Sequence, residues 1–152
     1  MNKCIRLVVP GVPKPQRRPR VFRHGNRIIA VSPSRQDEQD FLSLAMAHRP
    51  ERPIEAPISV SLTFCLPAPK SLPKRLREPL EQEILPCGKR PDIDNLAKLV
   101  LDALDGVYWR DDGQICHLTL RKMYSPRPRT EVEITEIPQD WQTGASRNGP
   151  SA

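Results

Sequence analysis

Two pairs of closely spaced aspartates, Asp92 with Asp94 and Asp111 with Asp112, flank one short helical pattern in "KRPDIDNLAKLVLDALDGVYWRDDGQI", residues 89–115. Gathering carboxylates costs free energy through mutual repulsion and desolvation unless protons or cations compensate. A divalent cation resolves that conflict. Oxygen donors without a His or Cys cluster suit Mg²⁺ or Mn²⁺ rather than zinc. Beside a phosphate, such an ion can activate water, stabilise charge on the phosphoryl oxygens and steady the leaving oxygen. Lys98, one helical turn from Asp94, can add positive charge to the transition state. Each residue also has a plainer use. Asp92 or Asp94 can cap a helix N-terminus, and Asp111-Asp112-Gly113 can form a turn. Lys98 can pair with Asp94 and Asp102 along the helix surface.

Positioning these groups falls to the elements around them. Ile93, Leu96, Ala97, Val100, Leu101 and Leu104 recur at the spacing of one helix face, which predicts a helix from Asp94 to Asp105. Asp94, Lys98 and Asp102 line a second, polar face. Pro91 makes the entry extended, and an extended Asp92 would aim its side chain to the same side as that of Asp94. Upstream, "CIRLVVPGVP" reads as a strand, and a basic loop leads to a hairpin turning at Gly25-Asn26. A first helix is expected over 33–49, with Ser32 as its cap. The alternating run Ala56–Pro67 predicts a strand with one buried face. Pro73 and Pro79 leave the form of "SLPKRLREPLEQEIL" open. Two closing strands, "QICHLTLRKMYS" and "TEVEITEI", complete a β-β-α-β-α-β-β order, an α+β fold with helices packed on a mixed sheet. Residues 138–152 have the composition of a tail.

The 152-residue length suits one domain. Lys plus Arg number 24 against 18 Asp plus Glu, a formal charge of +6 that favours a polyanionic partner. Every basic residue from Lys3 to Arg35 precedes the first acidic one, Asp37. A basic arm is thus separated from an acidic centre. No stretch reaches the roughly 18 apolar residues of a membrane span, and no apolar leader opens the chain, so a cytoplasmic protein is expected. Cys4, Cys65 and Cys116 sit in apolar, strand-like runs and are expected as buried free thiols. A zinc site built from the cysteines and His117 lacks the usual spacing.

The segment "RPDIDNLAKLVLDALDGVYWRDDGQI" resembles the signature of the RusA family of Holliday-junction resolvases. The matching elements are Asp92, Asp94, Asn95, Leu96 and Lys98, then Asp102-Ala103-Leu104, then Trp109, Asp111-Asp112 and Gln114. Asp105 departs from the Asn frequent in that family. A looser likeness covers residues 3 to 137. The resemblance implies a RusA-like, homodimeric endodeoxyribonuclease, residues 1–137, that makes paired nicks in four-way DNA junctions with Mg²⁺ or Mn²⁺. It further implies Asp92, Asp94 and Asp112 as metal ligands with Asp111 assisting, Lys98 as the catalytic lysine, and Asn95 as an orienting residue. Bacterial hosts and their prophages are the implied source. Arg17, Arg18, Arg20, Arg23 and Arg27, with Lys70, Lys74 and Arg75, are the candidate DNA contacts. Two other readings stand beside this one: a nuclease of different specificity, and a DNA-binding module whose aspartates only cap and turn.

Overall fold

Alternating apolar and polar residues build the sheet, and an apolar helix stripe covers it. The computed structural model describes residues 3–139, so the expected tail lies outside the described residues from position 140 onward. The elements run β1 (Cys4–Pro10), β2 (Arg20–His24), β3 (Arg27–Val31), α1 (Arg35–Ala45), β4 (Ile58–Leu66), α2 (Arg77–Glu81), α3 (Ile93–Leu104), β5 (Ile115–Tyr124) and β6 (Arg129–Glu136). Four strands form one sheet in the order β1-β6-β4-β5. The β4–β5 pair is parallel and the others antiparallel, giving the α+β fold with a mixed sheet.

On β4, Ile58, Val60, Leu62 and Phe64 point into a core shared with Leu7 and Val9 of β1, Phe41 and Ala45 of α1, and Val132 and Ile134 of β6. Helix α3 adds Leu96, Leu99, Val100 and Leu104 to it. Each fully buried Leu contributes about 1.5–3 kcal/mol, so the apolar stripe fixes which way α3 is rotated. Its polar face, with Asp94, Lys98 and Asp102, is thereby turned outward. Helix α3 ends where Gly106 adopts φ 77°, the left-handed conformation that glycine takes at helix C-termini. Tyr108 and Trp109 follow, both fully buried. The Tyr108 hydroxyl donates to the Ala45 carbonyl, and burial pushes its pKa up to about 12.

The β2–β3 hairpin stands off this core, with every residue of both strands exposed. Gly25, φ 61°, occupies the first position of its two-residue loop, where a positive φ matches the twist of the strands. The open Pro-containing stretch resolves into a 3₁₀ turn, Lys74–Leu76, leading into α2. Pro79 sits in the first turn of α2, where its missing N–H is not needed.

Two expectations are corrected. Helix α1 starts at Arg35 and tightens into a 3₁₀ turn at Met46–His48; its N-cap position is Ser34, not Ser32. The Ser34 hydroxyl makes no cap bond and instead accepts from the backbone N–H of Arg17 at 2.7 Å, tying down the arm. Of the three cysteines expected inside, only Cys65 is buried; Cys4 and Cys116 are exposed, and Cys87 is the second buried thiol. Cys116 is the extra residue where the β4–β5 register shifts, and Cys4 lies on an edge strand. Among the described residues no helix is long and apolar enough to cross a membrane.

Candidate active site

The outward face of α3 and strand β5 border an open cavity of about 210 Å³ lined by Asp94, Lys98, Asp102 and Asp112, with Leu118 and Leu120 of β5. The helical spacing of four brings the first three together, and the turn before β5 supplies the fourth. The Lys98 ammonium donates to both Asp102 oxygens, at 3.0 and 3.2 Å. That bond raises the lysine pKa, with Asp112 and Glu38 adding to the effect. Asp94 Oδ1 accepts from the Asn95 backbone N–H at 2.9 Å. Asp112 Oδ1 accepts from the buried Trp109 indole at 2.8 Å, so an aromatic anchored in the core aims this carboxylate. What burial Asp105 has raises its pKa, and the carboxylates of Asp112 and Asp111 raise it further.

Asp92 and Asp111 stand elsewhere. Asp92 is extended, φ −68° and ψ 138°, with no cap bond from its side chain. It lines a separate cavity of about 530 Å³ with residues 12–16, Arg90, Pro91 and Asn95. Asp94 already belongs to α3, so the two side chains line different cavities despite the extended entry. Asp111 caps the 3₁₀ turn Asp112–Gln114: its Oδ2 accepts from Gly113 N–H at 3.0 Å, while Gln114 Oε1 accepts from Asp111 N–H at 2.8 Å. The Gln114 amide then donates to the Ile54 and Ala56 carbonyls at 2.7 and 2.9 Å, stapling the turn to the segment before β4.

The donor chemistry fits a hard cation. Mg²⁺ is commonly held by one or two carboxylates, with water and phosphate oxygens completing its shell, and Asp94 and Asp112 offer such a pair within one cavity. Among the described residues, no three His, Cys, Asp or Glu side chains are gathered as a metal-holding group, the cysteines and His117 included.

Two contributors to this region, Lys122 and Gln16, were not singled out in the sequence. Lys122 donates to the carbonyls of Lys89 and Pro91 at 2.7 and 2.8 Å, holding the loop that delivers Asp92. Asp102 carries the contact to Lys98. Gln16 crosses between helices, its Nε2 donating to Glu38 Oε1 at 2.7 Å and Asp102 Oδ2 at 3.1 Å. The pairing of Lys98 with Asp102 was readable from their spacing; nothing local marks Gln16 or Lys122.

Of the candidate DNA contacts, Arg20, Arg23 and Arg27 lie on the exposed hairpin and Arg18 on the exposed arm before it. Arg17 is engaged at home, donating to the Pro33 carbonyl at 3.0 Å and lying 3.4 Å from Asp37. Lys70, Lys74 and Arg75 are exposed on the connection that follows β4.

The family model described as Endodeoxyribonuclease RusA matches residues 10–135. A Bacillus subtilis (strain 168) protein, described as uncharacterized protein YqaN, is 36% identical over 138 residues, covering 88% of this chain and 97% of that protein. A Lactococcus phage r1t protein, described as crossover junction endodeoxyribonuclease rusA, is 43% identical over 49 residues, covering 32% of this chain and 37% of that protein.

Proposed function

This chain belongs to the RusA endodeoxyribonuclease family, and from that premise we propose that it resolves four-way DNA junctions by hydrolysing one phosphodiester in each of two strands of like polarity. The observation that carries the reading is the shared cavity of Asp94, Lys98, Asp102 and Asp112 on a chain of net charge +6. Asp94 and Asp112 would hold Mg²⁺ or Mn²⁺, with Asp92 and Asp111 as nearby acidic support. When bound, the ion would supply charge stabilisation on the phosphoryl oxygens and an acidified water. Lys98, kept protonated by Asp102, donates hydrogen bonds to the phosphate as negative charge builds on it. Trp109 holds Asp112 in one orientation, and Asn95 steadies the start of α3. Arg18, Arg20, Arg23 and Arg27, with Lys70, Lys74 and Arg75, hold backbone phosphates and fix the position of the strand.

A homodimer is part of the proposal, since a two-fold axis presents two equivalent sites to two equivalent strands. A bacterial relative and a phage relative support the bacterial cytoplasm as the place of action, with prophages among the sources.

Cleavage of a synthetic four-way junction and of its matched linear duplex, with Mg²⁺ or with EDTA, tests the reading. Symmetric, ligatable nicks in the junction alone are expected, lost with EDTA and reduced at least about 1,000-fold in Asp94→Asn. Equal cutting of the duplex would point to a nuclease of another specificity, and binding without any cutting to a non-catalytic DNA-binding module.

A further inference from the structure

Lys98 has a long side chain that is 62% exposed, and it is paired with a carboxylate one turn along its own helix. Pairs of that kind are weak in water and leave the ammonium free to wander. Its partner Asp102 differs from an ordinary surface carboxylate, because its side chain is only 28% exposed and a residue 86 positions away in sequence reaches it. That residue is Gln16. Its backbone N–H donates to the Asn95 carbonyl at 2.8 Å, which anchors it on α3 beside the site. Its side-chain amide then gives one hydrogen to Asp102 and one to Glu38 of α1. Two carboxylates that would otherwise repel are bridged by one neutral donor.

The same side chain carries a cost. Its Oε1 is buried and accepts no hydrogen bond from another protein group, so the amide is held through its Nε2 side alone. Arg17 follows directly, with its own N–H on Ser34, and then come the exposed Arg18 and Arg20. The arm that meets the polyanion and the carboxylate that steers the lysine are therefore joined through one residue.

We propose that Gln16 is a positioning residue: by fixing Asp102 it fixes the Lys98 ammonium over the cavity, and it links the seating of the basic arm to the readiness of the site. This rests on the reading of Lys98 as the catalytic lysine. The contacts run in a chain Glu38–Gln16–Asp102–Lys98, with Glu38 on α1 at its far end.

The test compares wild type with Gln16→Leu, which keeps the size and removes the donors, and with Gln16→Asn, which keeps the amide and shortens its reach. Junction affinity is measured in EDTA and cleavage in single turnover with Mg²⁺. Both variants are expected to bind within about twofold of wild type and to cut about tenfold more slowly, the scale of a misplaced catalytic group. Adding Gln16→Leu to Lys98→Gln should cost nothing further. An unchanged cutting rate, a loss confined to affinity, or a second full loss on top of Lys98→Gln would overturn the proposal.

A direct readout separates this from the proposed function. The ¹⁵N-detected ammonium signal of Lys98, identified by its absence in Lys98→Gln, is expected to be protected in wild type and lost to exchange in both Gln16 variants. If wild type cuts no junction, the proposed function fails. The ammonium signal then still decides the role of Gln16, and its persistence in the variants would overturn that role.

Discussion

At the scale of single residues, the site depends on side chains that aim other side chains. Asp112 is the clearest case, because the Trp109 indole that holds it at 2.8 Å is itself fully buried. Trp109→Phe keeps most of the buried surface and deletes the donor. Its expected stability loss is about 1.5–3 kcal/mol, measured by denaturant unfolding, the worth of a hydrogen bond to a charged group. Junction cleavage is expected to fall about 10- to 100-fold with affinity nearly unchanged, since a small misplacement of a reacting group is costly. Asp102 with Lys98, and the turn at Asp111-Asp112-Gly113, were legible in the sequence because helical and turn contacts are local. Gln16 and Lys122 were not, because what they touch is set by how distant elements pack. The separation of Asp92 from Asp94 escaped for a related reason: an extended residue beside a helical one loses the two-residue repeat of a strand.

Among elements, the long periodic ones were the most readable. The apolar stripe of α3 placed that helix within a residue at each end, and alternation located β4, β5 and β6. Alternation did not tell edge strands from central ones, which is why Cys4 and Cys116 were expected inside. The loop after α2 shows what local pattern conceals. Glu83 sits at φ 57°, left-handed for a non-glycine, and its carboxylate accepts from Arg127 and from Arg129, the latter at 2.6 and 3.2 Å. These bonds, chiefly that from Arg129, hold its pKa below the ordinary glutamate value, and the carboxylate in turn raises that of Arg129. A folded pKa below the unfolded one means that the contribution is complete at neutral pH and fades as pH falls through the folded value. Glu83→Gln keeps the same backbone and is expected to lower stability by about 1–2 kcal/mol at pH 7. The gap between the two melting curves should narrow as pH drops below about 4. A gap that stayed constant with pH would show that the charge is not what pins this loop.

The whole molecule divides its charge in space as it does in sequence. The exposed hairpin and arm carry Arg18, Arg20, Arg23 and Arg27, while Asp94, Asp102 and Asp112 share the cavity between α3 and β5. For an electrostatic footprint of this kind, the logarithm of junction affinity should fall linearly with the logarithm of salt concentration, by about 0.9 for each phosphate neutralised. Arg18→Ala and Arg23→Ala are each expected to flatten that slope by about 0.9 per protomer engaged on the junction, with melting temperature unchanged. Arg17→Ala should instead lower the melting temperature, since Arg17 is bonded to Pro33 and Asp37 at the start of α1. Equal slopes for wild type and the Arg18 and Arg23 variants would remove the arm and hairpin from the DNA-binding surface.

The strand order has a consequence in time. Among the described residues β6 is the last strand in the chain, yet it lies between β1 and β4 and is the one strand paired with β1. A nascent chain on the ribosome has already released its basic arm long before Arg129–Glu136 emerge. Until then β1 has no strand to pair with, and the sheet beneath α3 is incomplete. Translation thus delivers the arm first and β6 last, and the sheet that carries α3 closes only once Arg129–Glu136 are available to pair with β1 and β4.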